Sequence, residues 1–451
     1  MNKETEIKLR VSPATLDALR EHPLLKKRNK GGWQRVELFN QYYDTANRDL
    51  SAAKVALRIR RDGDQFIQTL KSRGQSVAGL SERNEWDWYL TSPELDLSKL
   101  DDSCWPASLA TLDKSTLQPL FSTDFTRDKA EIAWGRGKAK VVIEAALDQG
   151  LVIAGEGQEA ICELELELRQ GEPAALLELA CELAAELPLM PCDISKAERG
   201  YRLFDSGSYS ISLGQPELQP QMSLDQAIAA IGWHLLSSSQ RLAEQYRFNG
   251  HWRLLAEWVE RLIELRALLA SLGQAAPRTC SRELRQGLDE LLKDWRPRLI
   301  SGANDDELRR NAPQLFAAEL DGPRWGLLSL QLANWLHNSS WMSARNAQGQ
   351  RQGEAVLINW LNTYLRHEFS ELNLRHYQQK PLRLLEQTPR LERLQVWLRT
   401  ARHVLEQEDC NRLFGELAKL NEAVRQQADE LALEYQVRAV QQLPVYKSFI
   451  A

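Results

Sequence analysis

Glu4-Thr5-Glu6-Ile7-Lys8-Leu9-Arg10-Val11 is the stretch on which the reading of this chain turns. Glu4, Glu6, Lys8 and Arg10 fall on one parity, and Ile7, Leu9 and Val11 on the other. A period of two places successive side chains on opposite faces of an extended strand. The apolar parity has to be buried, so the charged parity faces either bulk water or a wet cavity. Taken alone, such a strand is an ordinary half-exposed one. The pattern recurs, however, with both signs of charge. Val55-Ala56-Leu57-Arg58-Ile59-Arg60 puts Arg58 and Arg60 on one face, and Phe66 to Lys71 puts Thr69 with Lys71. Arg83, Glu85 and Asp87 share a parity, as do Arg127 with Lys129 and Glu144 with Asp148. Cys162-Glu163-Leu164-Glu165-Leu166-Glu167-Leu168 alternates acids with leucines.

Carboxylates lined up on one face of a strand repel one another unless cations intervene. Closing such strands into a barrel gathers the charged parity into one lumen and leaves the apolar parity outside, beneath covering helices. Arginine and lysine from several strands suit phosphate oxygens. Clustered carboxylates suit hard divalent cations such as Mg²⁺ or Mn²⁺. Both together describe a metal-chelated polyphosphate.

At 451 residues the chain exceeds what one hydrophobic core supports, so at least two domains are expected. Up to Phe204 short alternating segments mix with Gly and Pro; Asp205-Ser206-Gly207-Ser208, Gly214, Pro216 and Pro220 read as a linker. From Ser223 the spacing is helical: Leu224, Ile228, Ile231 and Leu235 form one stripe, Leu255, Trp258, Leu262, Leu265 and Leu269 a second that stops at Gly273, and Leu284, Leu288, Leu291 and Trp295 a third. The division is 1–205, a linker 206–222, and 223–451: an α+β domain followed by an all-α one. Helices are expected from Ser12 to about His22, capped by Ser12 with Pro13 in the first turn, and from Pro173 to Leu187. A net charge of −5 gives no basic surplus that would point to nucleic acid. No apolar run is long enough to span a bilayer, and the acidic, alternating N-terminus is no signal peptide. Six cysteines without a Cys-x-x-Cys pair read as reduced thiols rather than disulfides or a zinc site, so a cytoplasmic protein is expected.

Glu4-x-Glu6-x-Lys8 resembles the signature of the CYTH domain, the triphosphate tunnel metalloenzymes. The later pieces fall in that family's order: Tyr42-Tyr43-Asp44-Thr45, Leu57-Arg58-Ile59-Arg60, Thr69-Leu70-Lys71, Arg83-x-Glu85, Arg127, Glu144 with Asp148, Glu165-x-Glu167, and Ser195-Lys196 before Arg199-Gly200-Tyr201. Pro119 to Phe125, Ala146 to Gly150 and Ile161 to Leu168 are similar to the bacterial inorganic triphosphatases, in which a CYTH domain is fused to a helical CHAD domain.

The resemblance implies an eight-stranded antiparallel tunnel that hydrolyses inorganic triphosphate to pyrophosphate and phosphate with Mg²⁺ or Mn²⁺. By matching position it implies Glu4 and Glu6, with Glu165 and Glu167, as metal ligands. Lys8, Arg58, Arg60, Lys71, Arg83 and Arg127 would hold the phosphates. Asp148, with Glu144, would position or activate water, Lys8 being the cation most involved in the chemistry. Glu163, Glu165 and Glu167 share one parity, so pattern alone does not separate them. Glu85 is expected to brace a base, and Lys196 to reach the tunnel mouth. For the helical half, Gly250-His251-Trp252-Arg253 with Arg261, Arg366-His367, and Arg399 with Arg402-His403 echo CHAD domains that bind polyphosphate, although Glu257, Glu260 and Glu264 interrupt the first stretch. The competing readings are a polyphosphate-binding module without turnover, a thiamine or nucleoside triphosphate hydrolase, and an adenylate cyclase. Protein partners are not legible.

Overall fold

The computed structural model describes residues 2–72, 74–77, 80–135, 140–205, 211–302, 304–343, 345–378, 380–405 and 409–450. Ten strands are β1 (Asn2–Arg10), β2 (Gln34–Asp44), β3 (Ala56–Asp62), β4 (Gln65–Lys71), β5 (Gln75–Val77), β6 (Leu80–Leu90), β7 (Gln118–Trp134), β8 (Val141–Ala154), β9 (Gly157–Gln170) and β10 (Met190–Pro191). They form one antiparallel sheet in the order β10-β1-β9-β8-β7-β2-β3-β4-β6-β5. The added pairing of β1 with β6 joins the ends of the eight long strands, so the sheet closes into the expected eight-stranded barrel. Closure removes the open edges that would otherwise invite strand addition.

The opening stretch shows why the barrel has a charged inside. Ile7 and Leu9 on β1, Ile143 and Ala145 on β8, and Leu164 and Leu166 on β9 are fully buried on the outer face. Helices α1 (Pro13–Glu21) and α4 (Ala174–Ala184) lie over β1 and β9. Burying each of these leucines and isoleucines contributes about 1.5–3 kcal/mol, which fixes the register: a slip of one residue would turn the acids into the helices. α1 starts where the Ser12 hydroxyl accepts the Thr15 amide at 3.1 Å, with Pro13 in its first turn. The short helices α2 (Pro23–Arg28) and α3 (Asp49–Ala52) lie in the connections from β1 to β2 and from β2 to β3.

Helix α5 (Lys196–Phe204) packs against β7, β8 and β9. Ser195 caps it by accepting the Glu198 amide at 3.1 Å. Gly200 is what allows the close approach, since a Cβ there would meet the Phe121 ring at 2.1 Å. Tyr201 donates to Asp44 Oδ2 at 2.8 Å, and Asp44 also accepts the amides of Thr45, Leu50 and Ser51. The Tyr42 to Thr45 motif is thus the anchor that ties α5 and α3 to the end of β2.

The chain divides into two compact units, Met1–Ser212 with Leu315–Asn334, and Leu213–Gln314 with Trp335–Ala451. Leu315–Asn334 belongs to the first unit despite lying within the helical half of the sequence, and Gly326 sets its backbone against Leu189, where a Cβ would fall 2.0 Å from the carbonyl oxygen. In the second unit the helix Leu224–Asn249 opens with a Ser223–Gln226 capping box and ends at Gly250 with φ 67°, and the stripes read from sequence are its core. Trp258 and Trp295 pack edge to face at 5.8 Å. All six cysteines are free thiols. Among the described residues no helix is long and apolar enough to cross a membrane.

Candidate functional site

The barrel encloses a cavity of about 280 Å³ lined by Glu4, Glu6, Lys8, Arg58, Arg60, Lys71, Arg83, Arg127, Glu144, Glu165 and Glu167, among others. Eleven of the twelve residues singled out from sequence therefore converge on one space. The twelfth, Asp148, is fully buried and does not line it. The register explains the grouping. Glu6 lies directly opposite Glu167, and Glu167 opposite Glu144; one step further along, Lys8 lies opposite Glu165; beyond that, Arg10 and Asp148 both lie opposite Glu163. Arg83 lies opposite Glu4, Glu85 opposite Lys71, and Arg58 opposite Tyr42. Directly opposed residues on one face of a sheet are in side-chain contact range.

On β2, β3 and β4 cations outnumber their partners. Arg58 approaches Glu85 at 3.7 Å and Lys71 contacts Glu4 at 2.7 Å and Glu85 at 3.3 Å, so Glu85 braces two bases. Arg60 donates from Nε to the neutral Asn40 at 2.9 Å. Burial, together with Arg58 and Arg127, pushes the Arg60 guanidinium down to about 10. The buried Arg58 Nε has no hydrogen-bond partner. A buried donor without a partner costs about 1–3 kcal/mol, so this side of the lumen is short of an anion. Tyr42 also lines the cavity: burial raises its pKa, but Arg58, Arg60 and Lys196 outweigh that and lower it from the ordinary phenol value.

Beneath this region the charges are fully matched. Arg127 forks onto Asp148 with two bonds of 2.7 Å and also meets Glu165. The tightest carboxylate grouping among the described residues, with ligand atoms within 4.8 Å of one another, is Asp148, Glu163 and Glu165. Its geometry suits a metal ion, but the Lys196 ammonium already sits on it, 2.7 Å from Asp148, 3.0 Å from Glu165 and in contact with Glu163. Lys196 was expected at the tunnel mouth; instead it runs inward from α5 and is buried. Glu163 also takes an Arg199 amine, and Lys8 reaches Glu165 at 2.8 Å and Glu6 at 3.2 Å. Burial opposes the charge on Glu165, yet Lys196, Lys8 and Arg127 hold its pKa well below the usual carboxylate range. Burial likewise works against Lys8, but Glu165, Glu6 and Glu163 keep its ammonium pKa well above normal.

The opposite imbalance holds where Glu4, Glu6, Glu144 and Glu167 meet. Burial first, and then Glu4, Glu144 and Glu6 acting against Arg169, push the Glu167 carboxyl up to about 7. Opposed like charges are destabilising in a sheet; here four carboxylates share Lys71, Lys8 and Arg169, and their all-oxygen donor set is of the kind Mg²⁺ and Mn²⁺ prefer.

Several lining residues were not carried forward from sequence: Tyr42, Asp62, Asp87, Lys129 and Arg169. The signal for Arg169 was present, since it continues the parity of Glu165 and Glu167. In the helical unit two of the arginines singled out, Arg261 and Arg399, are engaged internally, whereas Arg253 and Arg366 are exposed. Arg261 and Arg399 both meet the buried Glu264, the former at 2.9 Å; Arg253 meets Glu257 at 2.8 Å; Arg402 bonds Asn411 at 2.7 Å. His234 is pushed down to about 4 by burial, Arg399 and Arg261.

Residues 2–201 match the family model of the CYTH domain. The chain is 36% identical over 203 residues to an inorganic triphosphatase of Haemophilus influenzae, covering 45% of this chain and 55% of that protein. It thus spans about half the length of the curated relative it matches. Among solved structures, a Hippeastrum adenylyl cyclase described as having a dominant triphosphatase activity covers 46% of this chain and 97% of its own, at 23% identity and a TM-score of 0.33. A crystal structure of an inorganic triphosphatase covers 39% and 78%, at 17% identity and a TM-score of 0.15. These overlays are too loose to add to what the family match carries. The closed eight-stranded barrel with its charged lumen is built by the same residues, 2–201, that match the CYTH domain.

Proposed function

We propose that the chain is a divalent-cation-dependent inorganic triphosphatase, cleaving triphosphate to pyrophosphate and phosphate inside the barrel, with Mg²⁺ or Mn²⁺ as the cation. One observation carries the reading: a single cavity is lined at one place by Arg58, Arg60, Lys71 and Arg83 and at another by Glu4, Glu6, Glu144 and Glu167. Burial and then the neighbouring Arg58 and Arg127 push Arg60 down to about 10, and burial and then Glu4, Glu144 and Glu6, against Arg169, push Glu167 up to about 7. A bound anion relieves the first and a bound cation the second. A metal-chelated polyphosphate relieves both, and the similarity to the Haemophilus influenzae inorganic triphosphatase points the same way.

In this reading Glu4, Glu6 and Glu167 hold the cation, with Glu165 at the edge of the group because three cations already engage it. When bound, the ion neutralises the carboxylates and draws charge from the phosphoryl oxygens. Arg58, Arg60, Lys71 and Arg83 bind the phosphate chain, Arg58 supplying its unpartnered Nε. Lys8 and Arg127 stabilise charge on the leaving pyrophosphate, the quantity that grows in a loose phosphoryl transfer. Glu144 lines the cavity and, once released by Arg169, would orient the attacking water. Asp148, buried under Arg127 and Lys196, is assigned to positioning those two cations instead. Among the described residues Tyr42 is the one aromatic side chain lining the cavity, and the largely charged remainder of the lining favours an inorganic chain. The helical half, in which Arg261 and Arg399 are committed to the buried Glu264, is assigned a structural role rather than polyphosphate binding.

Phosphate release from inorganic triphosphate, thiamine triphosphate, ATP and long-chain polyphosphate, each with and without EDTA, tests the proposal. Inorganic triphosphate should be turned over fastest and EDTA should abolish turnover. A chelator-insensitive activity, or ATP as the best substrate, would overturn it.

A further inference from the structure

The lumen carboxylates differ in how their charge is met. Lys8, Lys71, Arg127 and Lys196 are held in the wall, with side-chain exposures of 9%, 18%, 14% and 8%. Arg169 lies near the end of β9 with 47% of its side chain exposed. It reaches Glu144 at 3.0 Å and also contacts Glu167, so one guanidinium bridges two carboxylates that oppose each other across β8 and β9. Among the described residues it is the only cation paired with either of them within 4 Å. An arginine fork occupies carboxylate lone pairs that a divalent ion needs for itself.

We infer that Arg169 is the resident counter-ion of the Glu144–Glu167 pair, which an incoming divalent cation has to displace into solvent. The inference rests on the reading of Glu167 and its neighbours as the oxygen donors for that cation. Its physical content is a competition. With the cation absent, Arg169 keeps two opposed acids from repelling; with it present, the guanidinium is superfluous and its positive charge works against binding. Its half-exposed side chain can leave without unpacking the barrel, which the buried lysines and Arg127 cannot do. Arg169 therefore lowers affinity for the cation and sets the concentration at which the lumen becomes loaded.

The test is Mn²⁺ binding to the metal-free full-length chain, without phosphate, at pH 8, read from the free-ion signal by electron paramagnetic resonance. Arg169→Gln should bind Mn²⁺ roughly three- to tenfold more tightly than wild type, the range a displaced, partly exposed ion pair allows. Arg169→Lys, which keeps the charge on a flexible stem, should stay within about twofold of wild type. A thermal melt of each variant checks that the fold is retained. Equal or weaker binding by Arg169→Gln, or an Arg169→Lys variant as tight as Arg169→Gln, overturns the inference while leaving the cation site standing. Failure of wild type and variant alike to bind Mn²⁺ overturns both.

Discussion

Lys8→Ala should lower kcat/KM for inorganic triphosphate by about 10²–10³-fold, the usual loss when one charged donor to a developing oxyanion is removed. Most of the loss should fall on kcat, because an interaction that strengthens as the leaving group gains charge lowers the barrier rather than the ground state. The structural basis is the setting of Lys8: its ammonium is buried between Glu6 at 3.2 Å and Glu165 at 2.8 Å, which keep it protonated. Arg58→Ala should act with similar magnitude but raise KM as well, since Arg58 offers a donor that nothing in the protein accepts. Steady-state phosphate release checks both. Losses below about threefold at both positions would remove Lys8 and Arg58 from the machinery.

Glu163→Ala should unfold the first unit at a distinctly lower temperature. Glu163 is 1% exposed and is shared by Lys196 and Arg199, themselves 7% and 1% exposed. Removing it leaves two buried cations facing a missing partner, and breaking a buried pair from one side typically costs about 3–5 kcal/mol. For a unit of this size that corresponds to a drop of about 10 °C in its calorimetric transition. Activity should fall too, because Lys196 and, through Asp148, Arg127 lose their fixed geometry. A transition within about 2 °C of wild type would mean that α5 is held by its apolar contacts around Phe121 and Tyr42 rather than by the ion network.

The barrel was legible from sequence because each strand carries its own alternation, and a two-residue period determines which face a side chain takes wherever the strand lies. That is why Glu6, Arg58 and Glu167, far apart in the chain, could be assigned to one lumen. What period cannot supply is position along the strand. Glu144 and Asp148 share a face yet lie four residues apart, about 13 Å on an extended chain, and only the register showed that one opposes Glu167 while the other is sealed beneath Arg127 and Lys196. Glu163, Glu165 and Glu167 were inseparable for the same reason, and each turns out to have different partners. The inward path of Lys196 depended on how α5 docks, which rests on Gly200 meeting Phe121 and Tyr201 reaching Asp44. Docking of that kind leaves no periodic trace. In the helical half the stripes located the core, but not the transfer of Leu315–Asn334 to the first unit, which depends on a close approach at Gly326.

The most direct test of the central claim is a crystal structure of the full chain soaked with Mn²⁺ and a slowly hydrolysed triphosphate analogue, with manganese located by anomalous scattering. The account predicts manganese on the oxygens of Glu4, Glu6 and Glu167, Arg169 swung away from Glu144, and phosphates against Arg58 and Arg60. Manganese seated on Asp148, Glu163 and Glu165 with Lys196 expelled, or a phosphate chain bound outside the barrel, would contradict it.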